Sequence, residues 1–529
     1  MKESFFRSMT WLHTWTGLLV SWLLLLIFFA GTLSYYRYEI NLWMKPELHS
    51  GVLRHYEDID KGAVLRQGQA YLQSTAADAP VWTLRLPTHR LPFVSFGWQD
   101  AAKEGERRGQ FHEHYLTDDD ELISDIRATK GGHFFYRLHF DLHYLPVTLA
   151  RYLVGFATMF MLLAIVTGIV IHKRIFKDFF AMRFNKGSRS WLDGHTLNSV
   201  LALPYHLMIT YTGLIALMFI YMPSALETGF QGNRRALEQQ LAPPQLSTTP
   251  TGNKASLVSL EHILPDVLAR ASGTPIRDIR IQNPQDANSR ILVVLRNDSR
   301  IADHEYQLVY AGTTGQFIGQ IGDFPSDVGQ AHDTLIGLHA ARFATPALRF
   351  AFFISGLLGC AMVASGALLW SKKLRQKQQK QLDKGNKRSF GLYLTESLNL
   401  GVIAGLPIAA ASYLWANRVI SVDYPGRFDA EINLFFAGLG ITLLLALLGW
   451  INWRRALFTA AWIWLGLPLL NALTSSENLL SNIVKGQWFL AWVDLLALII
   501  GTALLLTARQ CKPAMHKAQS TISASEAMK

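Results

Sequence analysis

The chain has 529 residues, of which half are apolar, and its formal net charge is +11. The apolar residues collect in runs of about 20 residues, the length of helix that crosses the roughly 30 Å hydrocarbon core of a bilayer. A soluble protein could bury one such helix but not eight, which argues against a large globular enzyme. The two cysteines, Cys360 and Cys511, cannot form a disulfide framework.

The basic residues lie in short loops beside the apolar runs. They form three groups, at 173–189, at 372–387 and at the pair Arg454 and Arg455. This distribution is the positive-inside pattern, which sets the orientation of membrane helices. The charge therefore indicates topology and not a nucleic-acid partner, and it predicts that these loops and both termini are cytoplasmic.

Hydropathy and loop charge together predict eight membrane-spanning helices. They lie near residues 11–34, 148–172, 196–222, 346–370, 391–416, 432–452, 456–473 and 487–508. The first apolar run follows Lys2 and Arg7, as a signal peptide would, but it is too long for a signal peptide and ends in a poor cleavage site. We therefore expect it to be an uncleaved anchor.

Two long polar segments, at about 35–145 and 223–340, follow the first and third spans and are expected outside the cytoplasm. Residues 81–86 and 290–295 have strand-like patterns, whereas residues 257–271 have a helical one. Such mixtures predict two small extracytoplasmic α+β domains.

An internal repeat relates the two halves of this region. Two residue pairs recur at the same spacing: His13–Gly31 and Arg151–Gly168, then His195–Gly213 and Arg349–Gly366. The separation is 18 residues for each His–Gly pair and 17 for each Arg–Gly pair. A span–domain–span unit therefore occurs twice, and the two copies are predicted to form a four-helix bundle.

The remaining spans have no counterpart in the repeat and are treated as a C-terminal addition. The predicted parts are the first span at 1–34, a domain at 35–145, the second and third spans with their loop at 146–222, a second domain at 223–340, the fourth span at 341–375, and four further spans with a tail at 376–529.

The histidines indicate the chemistry. Of 17 in the chain, seven lie at or inside the first four spans and none inside the last four: His13, His139, His143, His172, His195, His206 and His339. Ionisable residues inside a membrane are costly and usually functional. A single interfacial histidine more often snorkels or forms a hydrogen bond, but most members of this set share two depths. A b-type haem needs two imidazoles at one depth, so the set predicts two haems in the bundle.

The repeat also predicts which histidines pair. His143 and His339 are expected to ligate the outer haem iron, with His139 as the substitute candidate. His13 and His195 are expected to ligate the inner haem iron, with His172 as a competitor.

His206 lies 11 residues after His195, about three helical turns along the same face. It either ligates through an offset between helices or forms a hydrogen bond with a propionate or a backbone group.

Other sites are less well supported by the sequence. His112 and His114 are spaced for a surface metal site, but such pairs are more often solvated.

The chain has no H-E-x-x-H, G-x-G-x-x-G or P-loop motif, so electrons are expected from quinol or from a separate reductase. Asp494, inside the last span, is expected to pack helices, with a quinone or proton path as the alternative.

Several segments resemble the PepSY-associated transmembrane family. They are residues 134–177, the stretch that begins SWLDGHTLNS at Ser190, the opening LHTWTG from Leu12, and IGLHAARF from Ile336. The resemblance covers about residues 1–375. It implies an iron-regulated bacterial inner-membrane protein with two PepSY-like domains, similar to haem-containing siderophore reductases. It also implies that some of six histidines are haem ligands, because relatives carry histidines at the same positions: His13, His139, His143, His172, His195 and His339. The chain lacks the flavin or NADPH module of fused members and adds four spans.

These observations predict a di-haem b electron-transfer protein that reduces a periplasmic acceptor, with a ferric siderophore as the leading candidate. As an enzyme it would be a haem-dependent ferric-siderophore reductase, whose catalytic residues the sequence does not identify. One alternative is a siderophore or small-molecule permease without redox activity. The other is a regulatory or protease-inhibitory membrane protein of the PepSY type, which leaves the histidine layers unexplained.

Overall fold

The computed structural model describes residues 2–49, 58–88, 90–105, 109–117, 121–172, 182–184, 186–221, 223–241, 246, 248–296, 300–302, 305–322 and 326–511. The predicted basic loop at 173–181 and the tail from 512 lie outside the described residues. Contacts divide the chain into two units. The first unit is residues 1–370 with 422–425 and 484–490, and the second is residues 371–421, 426–483 and 491–529.

The helices of the first unit comprise the first four spans, which we call the bundle, and the helices of the polar segments. In chain order they are α1 (Lys2–Ser34), α2 (Arg37–Trp43), α3 (Lys61–Thr75), α4 (Gly131–Asp141), α5 (Val147–Ile171), α6 (Ser188–Leu201), α7 (Leu203–Tyr221), α8 (Pro223–Phe230), α9 (Arg234–Leu241), α10 (Leu260–Ala271), α11 (Asp327–Ala340) and α12 (Pro346–Asp383). The last of these continues beyond residue 370 into the second unit.

The later helices belong mainly to the second unit. They are α13 (Phe390–Ile403), α14 (Gly405–Val419), α15 (Arg427–Leu447), α16 (Trp453–Thr474), α17 (Leu479–Val484) and α18 (Trp488–Gln510). Across the described residues, eight spans are long and apolar enough to cross a membrane. The prediction of a polytopic membrane protein with eight spans is confirmed.

Two of the spans are interrupted where a single helix was predicted. The third span divides at Ala202 into α6 and α7, and the fifth divides at Ala404 into α13 and α14. Pro204 and Pro407 follow these breaks. Proline lacks an N–H and clashes with the carbonyl one turn earlier, so it is tolerated at the start of a helix but not within it.

The polar segments form one sheet and not two. Its strands are β1 (Val81–Arg85), β2 (Val94–Gln99), β3 (Phe111–Leu116), β4 (Leu122–Ile123), β5 (Ile276–Gln282), β6 (Arg290–Leu295), β7 (Tyr306–Ala311) and β8 (Phe317–Ile321). The order is β4-β3-β2-β1-β5-β6-β7-β8, with every pairing antiparallel.

The join between the two halves is the pairing of β1 with β5, in which Leu84 lies opposite Ile279. Each strand would otherwise be an edge with unpaired N–H and C=O groups, and the pairing covers both edges. A shared core supports the join. Its buried members come from the central strands and from α3 and α10, and they include Leu65, Leu72, Leu84, Phe96, Ile263, Val267, Ile281 and Val293. The strand and helix patterns were predicted correctly, and the two polar segments, which were predicted as two domains, share one sheet.

The polar segments also bring two short helices to the bundle. Helix α4 packs against α1, and α11 packs against α7. Each ends just before a spanning helix, α5 in one case and α12 in the other. We call this end of the bundle the sheet end, because α1, α5, α7 and α12 connect to the sheet there.

Candidate functional site

Four histidines of the first unit form two pairs. The rings of His13 on α1 and His195 on α6 have centroids 6.4 Å apart, with an interplanar angle of 68°. The rings of His139 on α4 and His339 on α11 have centroids 5.9 Å apart, with an angle of 35°. The second pair lies at the sheet end, and 18 residues of α1, about 27 Å of helix, separate His13 from Gly31 beside His139.

A glycine on a neighbouring helix faces each of the four rings. A Cβ atom added to the glycine would lie only 2.7 to 3.2 Å from the ring. The pairs are Gly168 with His13, Gly366 with His195, Gly31 with His139, and Gly213 with His339. These are the glycines of the sequence repeat. Their role is to let an imidazole approach the backbone of the facing helix.

Hydrogen bonds hold the rings in the same way at these positions. Nδ1 of His13 bonds the carbonyl of Ala164 at 2.9 Å, Nδ1 of His195 bonds Met362 at 2.9 Å, and Nδ1 of His139 bonds Ile27 at 2.8 Å. Nδ1 of His339 lies 3.0 Å from the hydroxyl oxygen of Thr212, which donates its own proton to the Met208 carbonyl and therefore accepts from the ring. The three carbonyl partners each stand four residues before the facing glycine, whereas Thr212 stands one residue before Gly213.

These bonds determine which ring nitrogen can ligate a metal. A backbone carbonyl can only accept, so Nδ1 of each bonded ring carries the proton and Nε2 carries the lone pair. The same arrangement is common among metal-bound histidines, where it fixes the ring and raises its basicity. The four imidazoles are therefore prepared to ligate through Nε2.

The spacing of each pair fits one metal ion between the rings. With metal–nitrogen bonds of about 2 Å, two imidazoles on opposite sides of an ion have centroids roughly 6 Å apart. Two ligands are too few for a structural zinc ion, which takes four. A haem would need only two imidazoles from the protein, because its porphyrin supplies four nitrogens of its own. Both pairs therefore fit a haem.

A cavity of about 370 Å³ lies beside the pair at the sheet end. Its lining is largely apolar and includes both histidines, His139 and His339, with their glycines. Tyr35 and Tyr205 also line it, with their hydroxyl oxygens 3.0 Å apart. Its volume lies within the usual range for cofactor pockets, which are apolar with few polar groups.

His143 does not take the position that the sequence predicted. It is exposed, and its ring packs against those of Phe134 and Tyr144. Helix α4 ends at Asp141, and Leu142 and His143 both have positive φ angles, so His143 leaves the face that packs against α1. The partner of His339 is His139, which had been only the substitute candidate.

The sequence contains a pattern that favours His139 over His143 as the partner of His339. His139 precedes Pro146 by seven residues, and His339 precedes Pro346 by the same seven. Each proline marks the start of the next span. His143 lies only three residues before Pro146, so it has no equivalent in the second copy.

The other two predicted histidines lie near the pairs but outside them. His172 follows the last residue of α5, 3.3 Å from the Thr196 hydroxyl and close enough to His13 for an electrostatic interaction. His206 on α7 is fully buried, with its ring edge-to-face with Phe28 at 6.2 Å. Within the described part of the chain, neither of its ring nitrogens makes a hydrogen bond of good geometry.

The repeat arginines have matching structural roles at the sheet end. Arg151, at the start of α5, donates to Asp141 of α4 at 2.8 Å. Arg349, at the start of α12, donates to Glu39 of α2 at 3.2 Å. Each arginine thus ties a span to a short helix that precedes it in the chain.

His112 and His114 lie on β3. Trp98 stacks on the His112 ring at 5.0 Å, and the His112 Nε2 lies 2.9 Å from an Asp100 oxygen. The Tyr71 hydroxyl bonds Nδ1 of His114. These contacts place the two rings in an aromatic cluster on the sheet.

The second unit contains a buried polar network that sequence reasoning largely missed. Arg418 donates to Asn471 at 2.8 Å, and Asn471 donates to Asp494 at 2.7 Å. Arg427 and Glu431 form a salt bridge in which both side chains are almost fully buried. The two hydrogen bonds from Arg418 through Asn471 to Asp494 join α14, α16 and α18. This agrees with the packing role predicted for Asp494. The sequence analysis identified only Asp494 of this network, because hydropathy does not show which polar side chains are in contact.

Comparisons with known proteins match the part of the chain that contains the paired histidines. Residues 10–373 match the family model described as PepSY-associated TM region. An uncharacterised protein of Pseudomonas aeruginosa is 23% identical over 392 residues, which cover 69% of this chain and 93% of that protein. The family match includes all four paired histidines.

Proposed function

Since the chain belongs to the PepSY-associated transmembrane family, we propose that it is an inner-membrane electron-transfer protein with two b-type haems. In this proposal the sheet end faces the periplasm, and both termini face the cytoplasm. The acceptor at the sheet end is a ferric siderophore, and the donor is quinol or a separate reductase.

The observation that carries the proposal is the pair of bis-histidine arrangements. Centroid separations of 6.4 and 5.9 Å suit two imidazoles that would hold one iron, and each Nδ1 is engaged by the facing helix. The roughly 27 Å between the levels of the pairs approaches the hydrocarbon thickness of a bilayer. His13 and His195 would hold one haem, and His139 and His339 the other.

Bound haem would supply one-electron chemistry at each level. The residues of the chain contribute binding and orientation: the facing carbonyls fix the rings, and the apolar lining of the cavity excludes water. An electron delivered at the sheet end would convert Fe(III) to Fe(II). Hard oxygen ligands hold Fe(II) less tightly, so the siderophore would release its iron.

The test is an anaerobic reaction of the purified chain. Its visible spectrum should show haem that dithionite reduces. When the reduced protein is mixed with a ferric hydroxamate siderophore, the haem bands should return to the oxidised form while a ferrous-specific chelator turns coloured. A haem-loaded protein that stays reduced would refute the reductase function.

A permease without redox activity is the second candidate. The interruptions of the third and fifth spans favour it, because transporters often bind substrate at broken helices. The same spectrum separates the two functions, since a permease needs no reducible haem.

A further inference from the structure

The cavity beside His139 and His339 has a positively charged wall. Four arginines line it, and none of its described lining residues is acidic. We call these four the arginine rim: Arg37, Arg90, Arg151 and Arg342. They come from α2, from the segment after β1, from the start of α5 and from the residues that follow α11.

Among the residues that the structure describes, the carboxylates paired with arginines beside this wall do not balance its charge. Each one serves two arginines: Glu39 pairs with Arg90 and Arg349, and Asp141 pairs with Arg137 and Arg151. Each of these trios keeps one positive charge in excess. In these described ion pairs, positive charge at the rim therefore exceeds negative charge.

Arg37 is the most informative member. Its guanidinium donates to the Tyr38 hydroxyl at 2.9 Å and lies 4.7 Å from the ring centroids of Tyr38 and Tyr136. It has no carboxylate partner within the described part of the chain. Aromatic faces hold a cation in place without neutralising it, so its charge remains available to a ligand in the cavity.

Burial and the charge of Arg37 lower the pKa of two neighbouring groups, Arg342 and His133. Burial first, and then repulsion by Arg37 and Arg296, lowers the pKa of the Arg342 guanidinium. Burial first, and then repulsion by Arg37, Arg137 and Lys130, lowers the pKa of His133. An anion bound at the rim would relieve this repulsion.

We infer that the arginine rim, with Arg37 at its centre, binds carboxylate groups. Guanidinium forks match carboxylates in two-point geometry, and such charge-assisted bonds are about twice as strong as neutral ones. The inference rests on the proposed function. Its carboxylates belong either to the propionates of the haem at the sheet end or to an anionic ferric chelate that receives the electron.

The test compares Arg37→Gln, Arg37→Lys and a control, Arg234→Gln, with the wild type, all as full-length protein. Arg234 is an exposed residue of α9 that pairs with Glu238 in its own helix, away from the cavity lining. One assay follows haem transfer to excess apomyoglobin. The other measures binding of anionic ferric citrate and of a cationic ferric trihydroxamate by calorimetry.

If the propionates are the ligand, Arg37→Gln speeds haem loss at least about tenfold, and Arg37→Lys restores part of the wild-type rate. If the chelate is the ligand, Arg37→Gln weakens ferric citrate binding by a similar factor without weakening the trihydroxamate. Unchanged haem loss together with unchanged citrate binding overturns the inference. A wild type without haem refutes the proposed function instead, and citrate binding alone then decides whether the rim binds carboxylates.

Discussion

Replacing Gly31 with alanine tests whether the glycine of the repeat positions a haem ligand. The new Cβ would lie 2.7 Å from Nδ1 of His139, whereas ordinary contacts begin at 3.4 Å. The ring would have to move by about 0.7 Å, the difference between these distances. Such a shift would stretch the 2.8 Å bond from His139 to the Ile27 carbonyl to about 3.5 Å, where it ceases to be a hydrogen bond.

Losing a buried hydrogen bond costs roughly 1–3 kcal/mol. If this free energy is lost from haem binding through His139, the haem at the sheet end should bind roughly 5- to 150-fold more weakly. The assay is the haem-to-protein ratio after size exclusion in detergent, with the rate of haem transfer to apomyoglobin. The haem held by His13 and His195 should be unaffected.

Gly17→Ala is the matched control, because it lies on the same helix with nothing within 4 Å of the added Cβ. It should retain both haems and gain up to about 1 kcal/mol of stability from the helix propensity of alanine. Gly366→Ala should weaken the other haem by less, since its Cβ would lie 3.2 Å from the His195 ring. If Gly31→Ala binds and releases haem as the wild type does, the glycine has no such role.

Three further predictions concern the ligands, the second unit and the orientation. His139→Ala and His339→Ala should each disturb the same haem, whereas His143→Ala should leave both haem spectra intact; loss of haem from His143→Ala would restore the pairing first expected from the sequence. Arg427→Met or Glu431→Leu alone should destabilise the protein by about 3–5 kcal/mol in thermal unfolding, because each leaves an uncompensated buried charge. The double variant should recover only part of this loss, because the Asn417 amide and the carbonyls of Asn417 and Ser421 still lose the hydrogen bonds that Glu431 and Arg427 make with them; equal losses in single and double variants would contradict the reasoning. A cysteine at exposed Ser74 should react with impermeant reagents from the periplasm and one at exposed Gln381 only from the cytoplasm, and the reverse result would invert the topology.

The sequence was sufficient for the spans and for the local elements of the polar segments. Long apolar runs and basic loops locate helices because the bilayer imposes length and charge rules. Strand β6 at Arg290–Leu295 matches the stretch predicted from its pattern. The pairing of β1 with β5 could not be predicted in this way, because either strand could equally have been an edge, and only the packing of α3 and α10 on a shared core decides it.

The site was predicted in part. Histidine depth and spacing identified all four paired residues, but His143 was preferred to His139 because both lie near the same helix end. The choice depends on the left-handed backbone at Leu142, which no propensity argument indicated. The repeat glycines were recognised as a pattern, and their purpose became clear only when each was found facing a ring.

The central claim is that each histidine pair holds one haem, and a haem count with electron paramagnetic resonance tests it most directly. Pyridine haemochrome analysis of the purified, monodisperse protein should give two b-type haems per chain. The oxidised protein should show low-spin signals typical of bis-histidine ligation, with one signal lost in His139→Ala and the other in His13→Ala. A folded chain that contains no haem, or haem that survives removal of both His13 and His139, would contradict the account.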